Sequence, residues 1–144
     1  MPLRLQRVLS YRRQHEEECA HALRQVQLLH QHAAAQLEVL QAEAQTHEER
    51  LEKARGRTLS PAELQSWQRH HQVLAQRITA QQEVVAQATQ VVVEQRQQLL
   101  VARQETKVIE KLRDRVQRRA LLDLARREQQ LCDELALTRS RHEP

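Results

Sequence analysis

Leu, Val, Ile and Ala recur three or four residues apart through nearly the whole chain, the spacing that lays side chains along one stripe of an α-helix. The repeat is broken once, at Arg55-Gly56-Arg57-Thr58-Leu59-Ser60-Pro61-Ala62-Glu63. Gly56 is expected to take the left-handed conformation that ends a helix. Ser60 then serves as N-cap, Pro61 suits the first helical position, and Glu63 stands where a capping box needs it. Leu59 and Leu64 occupy the two ends of a hydrophobic staple. The pattern predicts helix one over about 3–55, a turn at 56–60, and helix two over about 61–140.

Within helix one, Leu9, Glu16, Leu23, His30, Leu37, Ala44 and Leu51 fall at heptad position a. Leu5, Arg12, Cys19, Val26, Ala33, Leu40, His47 and Ala54 fall at d. Eleven of these fifteen are apolar in one unbroken register, which predicts a left-handed supercoil. In helix two, Leu64, Trp67, Leu74, Ile78, Val85, Ala88, Val92, Leu99, Ala102 and Ile109 keep a similar spacing. The register then slips, and Leu121, Leu124, Leu131 and Leu135 form a new stripe, as a stutter would produce. At ~1.5 Å per residue, helix one is roughly 80 Å long and helix two roughly 120 Å. Folding back near residue 58 sets Leu3 beside about residue 113, and the last ~25 residues of helix two run on alone. The predicted fold is all-α, a single domain over 1–144: an antiparallel two-helix coiled-coil hairpin with a longer C-terminal helix. An apolar stripe without a partner from its own chain implies a receiving surface.

Composition supports this reading. One Gly, three Pro, no Phe, one Tyr and one Trp leave little with which to fill a globular core, whereas a seam between two helices needs no aromatic bulk. The net charge of +4 is spread among interleaved Arg and Glu, the mark of solvated helix faces. Cys19 and Cys132 are expected to be inert thiols of a reducing compartment. Residues 1–20 are charged throughout and the densest apolar run is Val91-Val92-Val93, so neither a signal peptide nor a membrane span is expected.

Candidate chemistry is sparse. His30 and His32 diverge on a helix, as do His70 and His71. His47 and His70 face each other across the predicted turn, but two imidazoles do not make a zinc site, and a polar layer near the tip is expected in place of a metal. A single Gly excludes a phosphate-binding loop, and a two-helix seam offers no water-excluding pocket; no catalysis, cofactor or small-molecule substrate is expected. Lys111, Arg113, Arg115, Arg118, Arg119, Arg126 and Arg127 form a basic run. Glu110, Asp114, Asp123 and Glu128 interrupt it and no aromatic residue accompanies it, which favours an acidic protein partner over nucleic acid.

Several motifs then occur in a telling order. Trp67 and Leu74 follow the turn; next come Lys107-Val108-Ile109-Glu110-Lys111-Leu112, Arg126-Arg127-Glu128-Gln129 and Asp133-Glu134-Leu135-Ala136. In these, and in the capped turn and the longer second helix, nearly the whole chain resembles the flagellar export stalk protein family, FliJ. The resemblance implies a cytoplasmic part of the type III export apparatus, peripheral to the inner membrane and similar in form to the stalk of rotary ATPases. It implies three partners: a hexameric export ATPase whose pore receives the helical termini, a membrane-embedded export gate protein, and export chaperones. Carried over by position, the gate-contact residues are Gln36, Leu40, His47, Trp67, His70, Leu74 and Gln81. His47 and His70 stand where the family often places aromatic residues, and Glu43 where a Tyr occurs. The pore-contact candidates are Arg118, Arg119, Leu121, Leu124, Arg126, Arg127, Leu131 and Leu135. The stalk of a virulence-type injectisome, or a generic coiled-coil scaffold dimerising through the exposed stripe, are the alternatives.

Overall fold

The computed structural model describes residues 3–142, and among them there are two helices, α1 (Leu3–Arg55) and α2 (Pro61–His142). They pack antiparallel as a helical hairpin. All fifteen a and d positions of α1 are buried or half-buried, as the heptad pattern requires. The matching seam of α2 runs from Trp67 through Leu74, Ile78, Val85, Val92, Leu99 and Ala102 to Val116. Between these apolar members it also includes Gln81, Gln95, Thr106 and Arg113, which hydrophobic scanning passes over. Leu64, expected in the seam and the staple, lies exposed.

The turn departs from expectation at Gly56, whose φ is not positive. The helix ends instead in a tight turn, with the Arg57 N–H donating to the Ala54 carbonyl at 3.0 Å. The N-cap of α2 forms as the sequence implies. The Glu63 N–H donates to the Ser60 hydroxyl at 3.2 Å, and the Leu64 N–H donates to the Ser60 carbonyl at 3.1 Å.

The chain divides into two compact units. In the unit Glu18–Leu99 the seam buries Cys19, Ala33, Leu74, Val92 and Leu99. Leu74, at 1% exposure, is the most enclosed of these, and burying a leucine contributes about 1.5–3 kcal/mol. Three polar seam residues here find partners on the opposite helix. His30 Nε2 bonds Thr89 Oγ1 at 3.0 Å, and the Gln81 amide donates to the Ala33 carbonyl at 2.9 Å. His47 Nε2 donates to the Trp67 carbonyl at 3.2 Å. In the unit Met1–Glu17 with Leu100–Pro144, Leu9 and Ala102 are the buried apolar residues. Here Arg12 donates to Glu105 at 2.6 Å, Arg103 lies 3.6 Å from Glu16, and Arg13 pairs with Glu110 at 3.4 Å. The buried Thr106 hydroxyl sits 3.0 Å from the Ala102 carbonyl and 3.4 Å from that of Arg12. Thus each of the four non-apolar a and d residues of α1, namely Arg12, Glu16, His30 and His47, meets a polar partner on α2. Such pairs fix the register of two helices that greasy contacts alone would let slide.

Candidate functional site

Two surfaces stand out, one in each unit. In the unit Glu18–Leu99 the surface is built on His47. As a d residue it is drawn into the seam, to 7% exposure, and its Nε2 is held by the Trp67 carbonyl. Trp67 and His70, three apart, both point back across the seam toward it. Their rings surround the imidazole, with centroids 4.7 Å and 4.5 Å away, and His71 lies at 6.4 Å. Beside these rings runs an open groove of about 750 Å³. Val39, Ala42 and Thr46 form one wall, Ser66 and Trp67 the other, and Glu43 and Arg50 bring one charge of each sign to its rim. Aromatic and aliphatic walls with a charged rim suit the side chains of a protein partner. No group of three or more His, Cys, Asp or Glu able to hold a metal ion occurs among the described residues.

The seven carried-over gate residues are all in this unit, but they do not share one role in the structure. Trp67 and His70 line the groove, with His47 at its floor. Leu74 is enclosed in the seam and supports the surface from beneath. Gln81 spans the seam to the Ala33 carbonyl and reaches Gln36 Oε1 at 3.4 Å, and Leu40 is half-buried. Val39, 57% exposed, and Arg50 belong to the groove but carry no heptad signal, because they sit outside the a and d positions.

In the other unit the surface is the end of α2. Every residue from Gln117 to His142 is exposed, although the helix continues unbroken. Leu121, Leu124, Leu131 and Leu135 are between 53% and 67% exposed. At 100° per residue they fall within about 80° of one another on the helix circumference. Arg118 and Arg127 border that stripe, one on each side. Arg119 and Arg126 lie on the opposite face of the helix. Six of the eight pore-contact candidates therefore share one surface and two do not. A leucine stripe edged by guanidinium groups can enter a mixed apolar and acidic socket. Cys132 is exposed next to the stripe, and Cys19 is a buried seam thiol. No helix among the described residues is long and apolar enough to cross a membrane.

Comparison with protein families gives a match to the flagellar FliJ protein over residues 1–144. No curated protein and no solved structure matches the chain. The hairpin, the longer second helix and the order of the motifs all agree with that match. The chain belongs to the flagellar FliJ protein family, the structural stalk components of flagellar type III export.

Proposed function

We propose that this chain is a non-enzymatic coupling stalk, which links a hexameric export ATPase to the membrane export gate and also binds export chaperones. It acts in the cytoplasm, at the inner-membrane face of the export apparatus. The observation that carries the reading is the leucine stripe on the exposed end of α2. In water these four side chains leave apolar area uncovered that a socket would remove from solvent, at roughly 25 cal/mol per Å². In this reading the ATPase ring supplies that socket, and Arg118 and Arg127 meet carboxylates at its edge. The groove at Trp67 and His70 faces the gate protein. In this reading the chain contributes contacts and stiffness, and the chemistry is left to the ATPase.

The test is to add the protein to the cognate ATPase and follow hexamer formation and ATP turnover. The reading expects both to rise, and the double substitution Leu124→Asp with Leu131→Asp to abolish the effect. Trp67→Ala with His70→Ala should leave ATPase stimulation intact and weaken gate binding. If ATPase assembly and turnover are indifferent to the wild-type chain, the stalk reading fails.

A further inference from the structure

Beyond Val116, where burial against α1 ceases, α2 carries a register of its own. With Leu121 at a, the a and d positions are Leu121, Leu124, Glu128, Leu131, Leu135 and Thr138. This stripe is complementary to itself when a second copy runs in the opposite direction. Setting Leu124 opposite Leu135 of the second copy also sets Leu131 opposite Glu128 and Leu121 opposite Thr138. The flanking residues then match across the two-fold axis. Arg127 meets Glu134, twice by symmetry, and on the other flank Ala125 meets Cys132, two small side chains that let the helices approach. We infer that two copies of this chain pair antiparallel through residues 121–138 of α2.

Three further points favour a second copy in that orientation. Glu128 selects the direction: a parallel, in-register pair would press two Glu128 carboxylates together in the seam. The antiparallel pair puts each beside a leucine, with its stem packed and its charge free to reach outward. The paired layers all lie beyond the last α2 residue buried against α1, so a second copy displaces nothing from the hairpin. The segment is already helical, so association does not bear the cost of helix nucleation that makes short isolated coiled coils marginal. The dimer stands independently of the ATPase reading. That it withholds the same leucines from the ring, and so acts as a storage form, rests on that reading.

Sedimentation equilibrium of the full chain alone, over a range of concentrations, tests the pairing without any ATPase. A reversible monomer–dimer equilibrium is expected. Leu131→Asp should weaken it by more than about a hundredfold, by removing a seam leucine and setting a second carboxylate against Glu128 at two symmetric places. Arg127→Glu and Glu134→Arg should each weaken it by roughly tenfold, because each sets like charges together at two symmetric places. The two combined should restore the dimer. These positions are exposed in the hairpin, so the variants keep its fold. Ala125→Cys should give, under mild oxidation, a covalent dimer whose disulfide joins position 125 of one copy to Cys132 of the other. A chain that stays monomeric at every concentration overturns the inference and leaves the stripe to a different protein. A dimer that ignores the charge exchange and forms no such crosslink overturns it equally.

Discussion

The α2 helix holds two stretches that both carry apolar residues at helical spacing, with opposite fates. From Trp67 to Val116 a buried or half-buried residue recurs every three or four positions with one gap, while from Gln117 to His142 not one side chain is buried. The first draws its apolar residues chiefly from Val, Ala and Leu and the second from Leu and Ala, and both interleave them with Arg and Gln. Burial in a two-helix seam is therefore conferred by the partner, and α1 reaches only as far as Val116. The comparison teaches that the exposed leucines are no packing defect of the hairpin. They form a second apolar stripe that α1 does not cover.

The comparison breaks most visibly if leucines of the two stretches behave alike on truncation. Leu74→Ala should lower stability by about 2–4 kcal/mol, since a fully enclosed side chain leaves a cavity. Leu131→Ala should change monomer stability by less than about 0.5 kcal/mol, as surface substitutions do. Urea denaturation of the two variants, at a concentration where the chain is monomeric, reads the difference directly. Next in size, Ser60→Ala should cost about 1 kcal/mol by removing the oxygen that receives the Glu63 N–H, seen as a lower urea midpoint at unchanged slope. Smaller again, Arg12→Ala should cost at most about 1 kcal/mol, because the Arg12–Glu105 pair is partly exposed and screened by salt. Its cost should shrink when the denaturation is repeated at high ionic strength. Smallest of all, Gly56→Ala should be neutral, or stabilising by up to about 1 kcal/mol, through loss of freedom in the unfolded chain. The added methyl group would meet only the Lys53 carbonyl, at an ordinary 3.5 Å, and no left-handed backbone forbids it.

Much of the hairpin is legible in the residues. The seam of α1 follows from the heptad alone, including its polar members Arg12, Glu16, His30 and His47, because a register is a property of spacing and tolerates individual exceptions. The seam of α2 is less legible, since Gln81, Gln95, Thr106 and Arg113 take core positions where only apolar residues are sought. What admits Gln81 is a carbonyl on the other helix, and no single-helix pattern contains that information, whereas the Thr106 hydroxyl is held chiefly by the Ala102 carbonyl of its own helix. Gly56 marks the turn but not its conformation: glycine permits a positive φ without requiring one. The exposed end of α2 is legible from two helix lengths and one turn. The groove is not, because Val39, Thr46 and Arg50 join it only through the rotation of α1 against Trp67. The exposure of Leu121, Leu124, Leu131 and Leu135 is visible in the structure, whereas the distribution of Arg118, Arg119, Arg126 and Arg127 between two faces follows from helix geometry alone.

In the proposed function the end of α2 is a preformed helical surface that another protein covers. Hydrogen exchange measured residue by residue, on dilute monomeric chain alone and then with the export ATPase, tests it most directly. The account predicts that amides of 117–142 exchange much faster than those of 74–109 in the free chain, and slow markedly once the ATPase is added, while the seam amides stay as they were. A stretch 117–142 already as protected as the seam in the free monomer, or unaltered by the ATPase, would contradict it.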